Sequence, residues 1–357
     1  MSWRRPLLSA AALIPLLAAC SAPAPGTGTP AAGAAAPGFP YTVTNCGVTT
    51  TFQAPPKRAV TMNQHVTEIM LALGLEKSLA GTAYLDDAIL PAYKKAYDSV
   101  PVLAKEYPSK EALLAAAPDF VYGGYASAFD AKAGRGRDDL KASGIASRLN
   151  TEYCPSGRTS LDDLYREVDE VGRTFGVPDR AARWTREAHA GVAATEQRLQ
   201  GVAPVSVFVY DSGDKTAFTA GGKGIGNELI TRAGGRNVFA DLDKTFGDAG
   251  WEQVVARKPD VVLIYDYGAT TVEQKKKRLL DDPALRDVPA IKNRRFAVLP
   301  LSDTVLGVRA PAAIGKLAAQ LHPDRTGSAH PARTPAVRTA PARTPSAAHP
   351  TATPDAR

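Results

Sequence analysis

Five histidines, three cysteines and scattered carboxylates are the side chains that can bind a metal or move a proton, so their placement decides which chemistries are open. His330 and His349 fall in a C-terminal run of Ala-Arg-Thr-Pro-like units, His322 stands at its edge, and His189 lies inside a helical pattern. Only His65 sits on a loop suited to a site. A metal centre needs several His, Cys or carboxylate ligands converging. No such spacing occurs, so neither a bare-metal site nor a cofactor is expected. Gly221-Gly222-Lys223-Gly224-Ile225-Gly226 is neither a G-x-G-x-x-G after a first strand nor a P-loop ending in Gly-Lys-Ser/Thr. A G-x-S-x-G nucleophile elbow is missing as well, and no catalytic residue is assigned. Rings remain. Asn63, His65, Tyr84, Tyr107, Tyr125, Phe129 and Tyr153 border short apolar runs in the first half, and Asp211, Trp251, Tyr267 and Arg309 do so in the second. Aromatic surface with a few polar anchors suits a bulky small molecule. Core packing is the plainer role of any single tyrosine, and it is the group that carries the reading. Arg309 is expected to face an anionic group of a ligand or to form a surface salt bridge.

Such loops need a scaffold. Runs rich in β-branched and aromatic residues mark strands at 59–62, 79–83, 120–123 and 146–150, then at 205–210, 261–265 and 296–300. Helical patterns separate them, such as Val66 to Leu75 with Ile69, Met70 and Leu73 on one side. Strands alternating with helices call for parallel sheets and an α/β fold, with ligands beyond the carboxyl ends of the strands. Between the two strand sets, Ser160 and Asp163 form a helix-capping pair ahead of Leu161, Leu164, Val168, Val171 and Phe175. A second helix starts near Pro178, carries Trp184, Ala188, Val192, Thr195 and Leu199, and ends at Gly201. At 1.5 Å per residue it reaches roughly 30 Å, enough to run the depth of two lobes.

The ends of the chain say where it works. Arg4 and Arg5 precede an apolar run that finishes in Leu17-Ala18-Ala19-Cys20, the order of an export signal. The run falls short of the roughly 18–20 residues that a membrane span needs. Leu-Ala-Ala-Cys resembles a bacterial lipobox, so Cys20 is the expected lipidation site, anchoring an exported chain to the outer face of the cytoplasmic membrane. The paired arginines leave the general and twin-arginine routes open. Residues 21–40 are almost wholly Ala, Pro, Gly, Ser and Thr and read as a tether. Residues 323–357 have no apolar periodicity and are expected to be disordered. Taking the +3 of that tail and the +2 of Arg4 and Arg5 from the net +7 leaves +2, which gives no sign of a nucleic-acid partner. Cys46 and Cys154 are then the remaining thiols, either bridged or two buried thiols. The folded part divides into a lobe at 41–177, a connecting helix at 178–201 and a second lobe at 202–322.

One pattern occurs twice. Glu111 stands seven residues before Pro118-Asp119 and a strand, and Glu252 stands seven before Pro259-Asp260 and another. A glutamate in a helix's first turn suits the helix dipole, which explains one copy but not the matched pair. Pro108-Ser109-Lys110-Glu111 through Pro118-Asp119 resembles the first-lobe signature of the siderophore, haem and cobalamin class of ABC-importer binding proteins. Trp251 through Asp260 resembles its second-lobe counterpart, and Asn227 through Gly234-Gly235-Arg236-Asn237-Val238 is similar to that class's helix-to-loop passage. The likeness covers about residues 57–322. It implies a class III solute-binding protein with two Rossmann-like lobes of parallel sheet joined by one long helix, a ligand held in the cleft, and modest closure. It also implies a monomer that partners an ABC importer permease and its ATPase, with Glu111 and Glu252 pairing with permease arginines. A two-lobed chelatase-like metalloenzyme is the alternative, and requires the ligand cluster that the histidines do not supply. A surface adhesin, tolerant of cleft mutations, is a further one.

Overall fold

The computed structural model describes residues 36–154 and 157–326; Cys20, the export signal, most of the tether and the tail beyond Thr326 lie outside the described residues, while Pro323–Thr326, expected to be disordered, form a short helical turn. The antiparallel hairpin β1 (Tyr41–Asn45) and β2 (Val48–Phe52) comes first. Then β3 (Ala59–Met62), β4 (Leu79–Ala83), β5 (Val102–Ala104), β6 (Phe120–Gly123) and β7 (Ala146–Leu149) form a wholly parallel sheet in the order β5-β4-β3-β6-β7. In the second half β8 (Val205–Tyr210), β9 (Ala217–Ala220), β10 (Gly235–Asn237), β11 (Phe246–Ala249), β12 (Val261–Asp266) and β13 (Phe296–Pro300) follow. Four of these make a second parallel sheet, β10-β8-β12-β13, while β9 and β11 pair antiparallel. Helices cover both faces of each sheet, so β3 and β6 are buried at every position and read as unbroken apolar runs rather than alternating ones.

The α/β architecture inferred from the alternating pattern is the one found, and the seven strands read from sequence form with ends within one residue. The helix read as 66–75 runs instead from Gln64 to Ala72. Asn63 supplies its cap position two residues earlier, and Gly74, at φ 65°, turns the chain left-handed just past its end. Ser160 and Asp163 do cap the Leu161–Thr174 helix, the Asp163 carboxylate accepting from Ser160 N at 2.8 Å.

The Pro-Asp echo has its own structural cause. Asp119 accepts from the Lys57 and Arg58 amides at 2.7 and 2.9 Å, tying the start of β6 to the start of β3. Asp260 accepts from the Ser206 amide and hydroxyl, tying β12 to β8 in the same way. Each lobe thus registers its two central strands with one carboxylate.

The Pro178–Arg198 helix is 21 residues long, and at 1.5 Å per residue spans about 32 Å. Arg180 near its start donates to the Leu73 and Gly74 carbonyls of the first lobe, and Glu196 near its end pairs with Arg232 of the second. Buried Ala181, Trp184, Ala188, Val192 and Thr195 line the face that packs against the Leu161–Thr174 and Ala310–Leu321 helices. Cys46 and Cys154 form a disulfide that ties the β1–β2 hairpin to the chain after β7. Asn45 reinforces it, trading hydrogen bonds with the Leu149 backbone.

Candidate functional site

The carboxyl ends of the two sheets face each other. Asn150, just past β7, donates to the Leu306 carbonyl at 2.9 Å, and Glu152 accepts from the Leu306 and Ile225 amides at 2.9 Å each. Gln64, just past β3, donates to Ser302 beyond β13 at 3.1 Å, and the Ser302 hydroxyl donates to Asp87 at 2.9 Å. Gly307 lies so close to the first lobe that a Cβ there would sit 2.9 Å from the His65 Cβ. The segment after β13 therefore fastens the base of the cleft.

Above that base stands a wall of rings, most of it from the first lobe. His65 and Tyr125 meet edge to face at 5.0 Å and Tyr125 and Tyr153 at 5.1 Å, while Tyr84 and Tyr107 lie tilted at 4.6 Å. Asn63 organises them, its Oδ1 accepting from the Tyr107 hydroxyl at 3.1 Å and the Tyr125 amide at 3.3 Å. Asn63 and Tyr84, the first residues after β3 and β4, hold φ of 86° and 58°. A bulky L residue at positive φ is costly, about 1–3 kcal/mol, and such strain gathers at ligand sites. Burial pulls the His65 pKa down to about 4, against a weaker opposing effect of the Gly124 backbone, so the ring is neutral at physiological pH. Its Nε2 and the Asn63 Nδ2 are buried without a hydrogen-bond partner, a costly arrangement unless something in the cleft meets them. From the second lobe the Tyr267 hydroxyl donates to Asp211.

Not every residue read from sequence joins this wall. Trp251 packs against Phe208 and Tyr210 on the far side of its own sheet, under Arg278 at 4.4 Å, and its Nε1 donates to Asp214 O. Phe129 lies under the first sheet beside Gly123, with Arg137 5.8 Å from its ring. Arg309 is neither open to the cleft nor at the surface: it is buried and forks onto Glu68, with Nε–Oε2 2.7 Å and Nη2–Oε1 2.5 Å. Glu111 and Glu252 are exposed in the first turns of the Lys110–Ala115 and Trp251–Arg257 helices. Helices that return to the start of a parallel strand begin at its carboxyl end, so both carboxylates lie toward the cleft side of their lobes. Glu111 is held below the usual carboxylate range by its own backbone amide and the Ser109 hydroxyl.

Sequence reasoning missed Asp86, Glu152 and Ser302. Asp86 was within reach, two residues beyond Tyr84 on a loop already singled out. Glu152 is buried, and burial pushes its pKa up to about 7 against the two amides it accepts from. Among the described residues no group of three or more His, Cys, Asp or Glu could hold a metal ion, and no helix is long and apolar enough to cross a membrane. An open depression of about 470 Å³ lies elsewhere, along β2 and the amino ends of β6 and β7. It is at the wrong end of the sheet for a ligand of this fold.

The sequence profile described as Periplasmic binding protein matches residues 60–302, from β3 to just past β13. A periplasmic binding protein from Veillonella parvula has a similar structure, with a TM-score of 0.74 and 31% identity over 79% of this chain and 97% of that one. The Fe3+-hydroxamate transport system protein of Saccharomonospora viridis aligns with a TM-score of 0.66 and 27% identity, over 80% of this chain and 98% of that one. A vitamin B12-binding protein of Yersinia pestis is 24% identical over 209 residues, 58% of this chain and 69% of the relative. With the profile spanning both parallel sheets, the chain belongs to the periplasmic binding protein family, a family of extracytoplasmic binding proteins rather than enzymes.

Proposed function

We propose that this protein is a monomeric lipoprotein, anchored through Cys20 at the outer face of the cytoplasmic membrane. It captures a bulky ligand of the ferric siderophore, haem or corrinoid kind and delivers it to an ABC importer permease with its ATPase. The observation that carries the reading is the tyrosine wall at the facing carboxyl ends of two lobes, with two orphaned polar atoms buried in it. The names of similar proteins specify Fe3+-hydroxamate and vitamin B12, ligands of the proposed kind. Delivery is supported by Glu111 and Glu252, one exposed carboxylate at a matched position on each lobe. A permease with two subunits needs two contacts that straddle the cleft, and charge pairs steer encounter and fix register. In membranes containing the importer, Glu111→Ala combined with Glu252→Ala should leave ligand affinity near wild type while uptake and ligand-stimulated ATP hydrolysis collapse. Truncating one member of a desolvated interfacial pair costs about 2–5 kcal/mol, so a loss of well over tenfold is expected. Normal uptake by that variant would remove the docking role. Helix-dipole stabilisation alone, worth about 0.3–1 kcal/mol to folding, would leave transport intact.

A further inference from the structure

We propose that the cleft selects a ligand bearing a positive charge: the tyrosine wall, with Asp86 from one lobe and Asp211 from the other, forms an aromatic and carboxylate seat for an ammonium-type group. This rests on the reading of the cleft as the ligand site and adds the charge of what it takes. Asp86 follows Tyr84 on the loop after β4 and acts on Tyr107, Tyr125 and Tyr153. Its oxygen accepts from the Gln64 amide at 3.2 Å, and the charged neighbour acting on it is a second acid, Asp87. Without a cation to offset burial, the Asp86 pKa is lifted to about 6. Asp211 follows β8, is 4% exposed, accepts from the Tyr267 hydroxyl and leaves Oδ1 without a hydrogen-bond partner. Lys275, the cation acting on it, is committed to the Tyr265 carbonyl at 2.6 Å and to the Tyr267 ring at 4.7 Å.

Of the guanidinium groups nearby, Arg309 is forked onto Glu68, while Arg135, 5.6 Å from the Tyr107 ring, donates to the Pro108 carbonyl and keeps its Nε buried without a partner. Asp86 and Glu152 are the carboxylates near Tyr125 and Tyr153. His65 adds no positive charge, because burial keeps it neutral. A cation entering here gains the faces of several rings and two under-compensated carboxylates, whereas an anionic chelate meets repulsion from both lobes.

The test uses purified protein and calorimetric titration. The probes are a ferric trihydroxamate with a free terminal ammonium, the same chelate acetylated at that nitrogen, a trianionic ferric tris-catecholate, haemin and cyanocobalamin. The ammonium chelate should bind at least about tenfold more tightly than its acetylated twin, and the trianion weakest of all. Asp86→Asn and Asp211→Asn should each shrink the gap between the twins, and melting temperature reports whether either variant is misfolded. Equal affinity for the twins, tighter binding of haemin, cyanocobalamin or the trianion, or a gap that survives both substitutions overturns the proposal while leaving the ligand site in place. Failure of every probe to bind would instead overturn the ligand-site reading, and this inference with it.

Discussion

Arg309→Met separates two roles for one residue. As a ligand anchor Arg309 would be dispensable for folding, but the structure buries it against Glu68, with side chains 8% and 1% exposed. Removing one member of a buried pair strands the other, at about 3–5 kcal/mol. Glu68 would retain only the Leu90 amide at 2.9 Å, so the full range applies to Arg309→Met. Glu68→Gln should cost less, about 1–3 kcal/mol, because Arg309 keeps the Ala88 carbonyl and has Asp303 3.9 Å away. Replacing both by methionine should recover part of the loss, since apolar substitutes for a buried pair are often nearly neutral. For a folded part of this size, 3–5 kcal/mol lowers the melting temperature by roughly 5–8 °C. Denaturant titration of the four proteins measures each of these losses. If Arg309→Met stays within about 1 kcal/mol of wild type while ligand affinity collapses, the buried-pair argument is wrong and the arginine faces the ligand.

Cys20→Ala should lack the lipid mass and leave the membrane fraction, since anchoring depends on the acyl chains; retention on the membrane would refute the lipobox. Cys46→Ala with Cys154→Ala should cost about 2–5 kcal/mol, and these two positions should take no thiol label in unreduced, denatured protein; labelling of both refutes the bridge. Tyr84→Ala and Tyr125→Ala should each weaken ligand binding by about 1–3 kcal/mol, while Trp251→Ala, on the far side of its sheet, leaves affinity intact. The reverse pattern would place the cleft elsewhere. Glu152, with its folded pKa raised from 4.5 to about 7, contributes most below the unfolded pKa, and that contribution is lost as pH rises toward 7. Wild type should therefore lose up to about 3 kcal/mol relative to Glu152→Gln over that window, and parallel pH profiles would show the carboxylate to be unperturbed.

What the sequence made legible follows from how far each signal reaches. Parallel strands buried on both faces advertise themselves as short apolar runs, so β3, β4, β6, β8 and β13 were found residue for residue. The Thr-rich β1–β2 hairpin and the three-residue β5 and β10 carry too little apolar pattern to stand out. Tyr84, Tyr107, Tyr125 and Tyr153 come together, as the sequence reading grouped them, because loops after parallel strands point at one edge of the sheet. Trp251 was drawn into the same list by its loop, yet β11, which precedes it, belongs to the small antiparallel pair and not to the main sheet. The topological rule does not extend to it.

Contacts between the lobes were out of reach for a different reason. Glu68 and Arg309 stand 241 residues apart, and Gln64 and Ser302 238, so neither leaves any local spacing to read. Those contacts nonetheless set how the cleft can move. Opening at the base would break the bonds from Gln64 and Asp87 to Ser302, from Asn150 and Glu152 to Leu306, and from Glu152 to Ile225. Water would replace them, so each counts at its net value of about 0.5–1.5 kcal/mol, on the order of 5 kcal/mol together before the Glu68–Arg309 pair is broken. At that cost roughly one molecule in several thousand would be open at the base at any moment. The long helix, bonded to the first lobe by Arg180 and to the second by Glu196, resists the same motion. On the proposed reading of the cleft, a ligand would enter over the outer rim, past Tyr84 and the exposed Leu85, with closure confined to small adjustments of that rim about a fixed floor.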